Sequence, residues 1–109
     1  MSLRPTSLPP VSEDLVPADH PCLAGHFPGR PILPAVLLLD RAAVALEPGL
    51  RVTGVSEAKF VRPGLPDQPF TIHLGALRAG RVAFEIRTRT GVLAHGRLTA
   101  EPLPESADR

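Results

Sequence analysis

His26 and Asp40 are the two side chains of this sequence whose settings favour proton-transfer chemistry. His26 lies in the stretch LAGHFPGRPILP, where Pro28, Pro31 and Pro34 restrict the backbone and predict a stiff loop. Histidine can accept and return a proton near neutral pH, and a fixed histidine does so with little reorganisation. Asp40 lies in a run of aliphatic residues, where a charge is costly unless it is paired or used. Together the two residues predict acid–base chemistry.

Backbone amides at the start of a predicted helix are a third candidate group, beside His26 and Asp40. The aliphatic segment 37–46 is bounded by Pro34 on one side and by Glu-Pro-Gly at 47–49 on the other, which predicts one short helix. No Ser, Thr, Asp or Asn precedes it, so the amides of Ala35, Val36 and Leu37 have no evident side-chain acceptor. Uncapped amides at the positive end of a helix can bind a developing oxyanion.

His26 and Asp40 can also be interpreted as structural residues that take no part in catalysis. His26 could brace a turn of its loop, and Asp40 could belong to a solvated stripe with Arg41 and Glu47. Periodicity alone leaves both alternatives open. A metal site is disfavoured, because the spacing of its candidate ligands fits no familiar zinc pattern and no second ligand pair follows. Those candidate ligands are Asp19, His20, Cys22 and His26.

The length and composition limit the class of protein to which the chain can belong. The 109 residues suffice for one domain, which we place at 11–102 between tails at 1–10 and 103–109 that are rich in Pro, Ser and charge. A net charge of +1 with dispersed basic residues disfavours nucleic acid as a partner. No apolar run reaches the about 20 residues of a membrane span, and MSLRPTSLPP lacks the apolar region of a signal peptide. The single cysteine favours a reducing compartment, so we expect a soluble, cytoplasmic protein.

The sequence after the helix predicts antiparallel strands. In RVAFEIRTR the residues Val82, Phe84 and Ile86 alternate with charged ones, and FTIHLGAL and VLAHGRLTA follow the same pattern. The alternation places His73 and His95 on the solvent face. The helix itself is apolar nearly all round and therefore has to be enclosed. These features favour an α+β fold in which a sheet curls around the helix, with a second chain covering what stays exposed.

Two segments of the sequence resemble a known family. GHFPGRPILPAVLLLD is similar to the signature of the FabA/FabZ-type (3R)-hydroxyacyl-ACP dehydratases, in which a Gly-His-Phe-Pro-Gly loop leads into a helix that carries an acidic residue. His26 and Asp40 have the separation found in that signature. GVSEAKFVRPGLPDQPFTI resembles the next strand and turn of the family, so the similarity covers roughly residues 17–100. In length the chain is closest to the short ApeI-like, aryl polyene-type dehydratases.

The resemblance implies a hotdog fold and a homodimer, or a higher oligomer, with each active site between two subunits. It assigns His26 as the general base, Asp40 as the acid that positions the hydroxyl group or water, and the Ala35 amide as the oxyanion donor. Val36, Gly29 and Phe27 complete the substrate-binding motif. Two features depart from the usual pattern: Ala35 replaces a glycine, so that its methyl group would crowd the thioester, and the acid is Asp rather than Glu.

The implied reaction removes water from a 3-hydroxyacyl thioester and forms a trans-2-enoyl thioester, in fatty acid or in polyene and pigment biosynthesis. The acyl group would arrive on the phosphopantetheine of an acyl carrier protein, without a resident cofactor or metal. Arg30, Lys59 and Arg62 are candidate contacts for the acidic carrier, although ordinary solvated cations are an equal alternative. A hotdog acyl thioesterase and a noncatalytic acyl-binding accessory subunit are the rival functions.

Overall fold

The computed structural model describes residues 8–23, 32–47 and 49–103. Within these residues the chain forms five strands and one α-helix. A 3-10 turn, Pro21–Leu23, lies between the first strand and the helix. The elements, in chain order, are β1 (Pro10–Asp14), α1 (Ala35–Leu46), β2 (Leu50–Phe60), β3 (Phe70–Arg78), β4 (Arg81–Thr88) and β5 (Gly91–Pro102).

All five strands belong to one antiparallel sheet with the order β1-β3-β4-β5-β2. The last three strands follow one another through short turns, and Ala79 and Gly80 between β3 and β4 both have positive φ, 51° and 77°. Such a pair is typical of the tight hairpin turns that match strand twist. β1 and β2, which flank the helix in the sequence, occupy the two edges of the sheet. This is the α+β architecture that the sequence predicts.

The core lies between the helix and one face of the sheet. Alternate residues of β3 and β4 are buried, which confirms the predicted strand periodicity. Leu38 and Ala42 of α1 are buried against the same core. Removing a leucine side chain from water stabilises a fold by roughly 1.5 to 3 kcal/mol, so this contact fixes which side of the helix faces inward. The buried strand residues are Phe70, Ile72, Leu74, Val82, Phe84 and Ile86.

The helix bounds match the prediction, but a single chain encloses only one side of the helix. Pro34 is the N-cap and Glu47 is the C-cap, as the flanking residues indicated. On the outer side, however, Val36 and Val44 are 77% and 57% exposed. Within the described residues, the sheet covers the Leu38 side alone, because a sheet contacts a helix along one stripe. The apolar outer side is therefore left for another surface.

His73 is buried, so its predicted exposure to solvent is wrong. The side chain does lie opposite the core face, yet it is only 7% exposed. Its Nδ1 lies 3.0 Å from the carbonyl oxygen of Leu8, and its Nε2 lies 2.9 Å from Oγ1 of Thr71. The residues leading into β1 run along β3 and cover it, a long-range contact that local periodicity does not encode. His95 is exposed, as predicted.

Candidate active site

The first turn of α1 presents two amides without an acceptor among the described residues. Pro34 makes no side-chain cap, as the sequence predicts. The Pro34 carbonyl oxygen accepts from the amides of Leu37 and Leu38, at 3.1 and 3.3 Å. The Leu37 amide is therefore bonded to the backbone, whereas the amides of Ala35 and Val36 have no hydrogen-bond acceptor among the described residues. Both residues are exposed, so the positive end of the helix dipole is open to an anionic group.

Asp40 lies on the exposed side of the same helix. Val36 precedes it by one turn and Val44 follows it by one turn, so the three side chains form a stripe. We call Val36, Asp40 and Val44 the outer stripe. Asp40 is exposed, and no hydrogen bond or ion pair joins its carboxylate to another described residue. A carboxylate set between two exposed valines is available to a ligand or to a second chain.

Arg41 points away from the outer stripe. Its Nη1 donates to Oδ2 of Asp14, so that it forms an ion pair between α1 and β1. The alternative of a solvated stripe that includes both Asp40 and Arg41 is therefore not what the fold contains. Glu47 is exposed at the end of the helix.

Several predicted site residues lie outside the described residues: His26, Phe27, Gly29 and Arg30. The chain on either side of this segment is well anchored. Leu23 is buried and its amide donates to the carbonyl oxygen of His20. Leu33 is buried and its amide donates to the carbonyl oxygen of Gly64 at 2.8 Å. Leu23 and Leu33 are therefore both held by the core, and Leu33 lies two residues before the start of α1.

A mainly apolar cleft of about 380 Å³ opens beside the start of the helix. It brings together Ala35, the expected oxyanion donor, and Arg62, a candidate contact for the acyl carrier protein. Nη1 of Arg62 donates to the carbonyl oxygen and to Oγ1 of Thr90, at 3.2 and 3.0 Å, which orients the guanidinium group. The lining residues are Ile32, Leu33, Ala35, Phe60, Val61, Arg62, Pro63 and Gly64.

Lys59 does not line this cleft. It pairs with His95 in the β2–β5 register and is exposed on the face of the sheet opposite the core. Phe60, the next residue, lies on the cleft side and forms part of its wall. The wall formed by residues 60–64 was not predicted from the sequence, although its segment FVRPG belongs to the second block that resembles the family.

Among residues 8–23, 32–47 and 49–103, no three His, Cys, Asp or Glu side chains are grouped so that they could hold a metal ion. In the same part of the chain, no helix has the length and apolar character needed to cross a membrane.

The five-stranded antiparallel sheet and the single helix define a hotdog fold, the class that the resemblance implied. A solved structure from Xenorhabdus doucetiae, the dehydratase heterocomplex ApeI:P, superposes with a TM-score of 0.71 over 88% of this chain and 99% of that one, at 15% identity. A protein from Erwinia carotovora subsp. atroseptica superposes with a TM-score of 0.70 at 23% identity, over 84% of this chain and 81% of that one. These two similarities show the fold.

The family follows from the sequence. Residues 11–97 match the model of the ApeI-like family, described as ApeI dehydratase. The chain belongs to this family. The 3-hydroxyacyl-[acyl-carrier-protein] dehydratase FabZ of Haemophilus influenzae is 35% identical over 94 residues, which cover 72% of this chain and 64% of that enzyme. The chain therefore spans less than two thirds of the length of this curated relative.

Proposed function

We propose that the chain dehydrates (3R)-hydroxyacyl thioesters, carried by an acyl carrier protein, to trans-2-enoyl thioesters. The observation that carries this proposal is the arrangement on α1. The amides of Ala35 and Val36, which have no acceptor among the described residues, begin the helix, and Asp40 follows Val36 by one turn, about 6 Å along the axis, on the exposed side. Membership of a dehydratase family supports this reaction for that arrangement.

The proposed chemistry assigns one step to each group. His26 takes the proton from the carbon next to the thioester carbonyl, and the Ala35 amide, with Val36 beside it, stabilises the negative charge that develops on the carbonyl oxygen. Asp40 protonates the departing hydroxyl group, so that the bond from oxygen to the third carbon breaks and water leaves. The electron pair of the broken C–H bond becomes the new double bond. Phe27 and Gly29 hold the acyl group beside His26.

A second copy of the chain completes the site in this proposal. The outer stripe supports a homodimer, because Val36 and Val44 are exposed apolar residues on both sides of the Asp40 carboxylate. The edge strand β2 supports it as well, since among the described strands it pairs with β5 alone along its length. A strand edge without a pairing strand and an exposed apolar helix face are both typical of surfaces that bind another protein chain. His26 of one subunit then meets Asp40 of the other.

The substrate is proposed to enter on the phosphopantetheine of the carrier, with no resident cofactor. The apolar cleft beside Ala35 suits an acyl chain, and Arg62 stands at its wall with its guanidinium held by Thr90. Arg30 and Lys59 are the weaker candidates for contact with the acidic carrier. The single cysteine, Cys22, supports a reducing compartment, so we place the reaction in the cytoplasm.

The mass of the product distinguishes this function from its rivals. Purified protein is incubated with a 3-hydroxyacyl carrier thioester, and the intact acyl carrier is weighed. The proposal predicts a carrier lighter by one water molecule. Release of the free acid, with an unloaded carrier, would instead identify a thioesterase. An unchanged carrier, with the substrate bound, would identify a noncatalytic accessory subunit.

Replacing Ala35 with glycine is expected to preserve or raise kcat/KM for dehydration, because glycine keeps the amide donor and removes the methyl group that faces the cleft. Glycine costs a helix up to about 1 kcal/mol, so a second variant, Ala43→Gly, serves as a control for helix stability. Ala43→Gly, in the interior of the helix, should lower thermal stability at least as much as Ala35→Gly while leaving the rate at the wild-type value. A large loss of kcat in Ala35→Gly alone would contradict the role of this amide.

A further inference from the structure

Asp67 joins two loops, the chain that follows β1 and the loop 61–69 between β2 and β3. The amide of Asp67 donates to the carbonyl oxygen of Val16 at 2.7 Å. Its carboxylate Oδ1 accepts from the amide of Ala18 at 3.2 Å. Val16 is fully buried, so this end of the junction is fixed in the core. Asp67 thus ties the loop 61–69 to the chain that follows β1.

The same loop also holds the chain that enters α1. The carbonyl oxygen of Gly64 accepts from the amide of Leu33, two residues before Ala35. Added atoms at Gly64 would meet the side chains of Leu33 and Leu38, so the loop lies directly against the helix start. Residues 61–64 form one wall of the cleft at Ala35. A shift of this loop would therefore move both the cleft wall and the approach to the uncapped amides.

Asp67 also has a backbone conformation that restricts which residues can replace it. Its φ is +59°, in the left-handed region that glycine, asparagine and aspartate adopt most readily. A β-branched residue is strained there. The position thus requires a short side chain with an oxygen acceptor and a tolerance for positive φ. Asparagine meets both requirements without a charge.

We propose that Asp67 is a positioning residue for the dehydration site. It fixes the loop 61–69 against the core at Val16 and Ala18, and through Gly64 and Leu33 this loop sets the place of the Ala35 amide. The role rests on the proposed function.

Kinetics of three variants test the role. Asp67→Val removes the acceptor and strains the backbone, and we expect kcat to fall by about tenfold or more with KM changed by less than about threefold, as for displaced catalytic groups. Asp67→Asn keeps the acceptor and should stay within about threefold of the wild-type kcat, whereas a role of the charge would make it resemble Asp67→Val. Ala79→Val is the matched control, because φ is 51° there and the residue follows the far end of β3. Its kcat should stay near that of the wild type.

Amide hydrogen exchange provides a readout that does not need activity. Exchange at Ala18 and Leu33 should be faster in Asp67→Val by about tenfold than in the wild type and in Ala79→Val, because the two loops separate more often. If Asp67→Val does not fold, Asp67→Gly tolerates the same backbone conformation, removes the side chain together with its acceptor, and should accelerate exchange at Ala18. An inactive wild type would defeat the proposed function, while exchange would still report on the junction. Unchanged exchange, or an unchanged kcat in Asp67→Val, would overturn the role of Asp67.

Discussion

His26→Ala and Asp40→Asn are each expected to lower the turnover of 3-hydroxyacyl carrier thioester by about a hundredfold or more. Removing a positioned general base or general acid typically costs a factor of this size. The first variant loses the group that takes the proton from carbon, and the second loses the proton that the leaving hydroxyl group requires. Steady-state kinetics at saturating substrate measures both, because the defect should appear in kcat rather than in KM.

Thermal stability separates this role from a structural one. Asp40 makes no hydrogen bond or ion pair within the described residues, so Asp40→Asn should leave the melting temperature nearly unchanged or raise it. Asp14→Asn is the control, because Asp14 pairs with Arg41 between β1 and α1. That change should lower stability modestly and spare turnover. If Asp40→Asn loses stability and keeps its turnover, Asp40 is a structural residue.

Val44→Glu is expected to separate the dimer and to lower turnover by about tenfold or more, because a carboxylate without a partner is costly in a dry interface. Val44 is 57% exposed in the single chain and belongs to the outer stripe. Glutamate suits an exposed helix position, so each subunit should still fold. Light scattering at micromolar concentration gives the mass, and circular dichroism gives the fold.

Val11→Glu is the matched control for this change. Val11 is 47% exposed, and it lies in β1, at the edge of the sheet opposite β2. The same substitution there should leave both the mass and the turnover at their wild-type values. A wild-type protein that is monomeric at this concentration, or a Val44→Glu variant that remains a fully active dimer, would contradict a site shared between subunits.

The elements around the site were predictable where local chemistry determines them. Pro34 and the Glu-Pro-Gly segment fixed the helix bounds, since proline favours a helix start and glycine its end. The absence of a capping side chain before Ala35 predicted the uncapped amides. Alternation predicted the buried faces of β3 and β4, because successive side chains of a strand point to opposite sides.

The contacts that the sequence did not predict join residues far apart in the chain. His73 was expected in solvent, but the chain near Leu8 covers it. Thr90 orients Arg62, and Asp67 is joined to Ala18. Neither contact could be predicted from the residues next to it in the sequence. Tertiary packing of edge strands and loops decides these contacts. The pairing of His26 with Asp40 rests on the family signature, since periodicity alone left both residues with alternative roles.

Mixing the two inactive variants tests the central claim most directly, because it asks whether His26 and Asp40 act as one site built from two chains. Equal amounts of His26→Ala and Asp40→Asn are combined under conditions that exchange subunits, and native mass spectrometry verifies the exchange. Each mixed dimer then has one intact site and one site with both lesions, so about a quarter of the wild-type turnover should return. No recovery despite verified exchange would contradict a dehydration site shared between subunits.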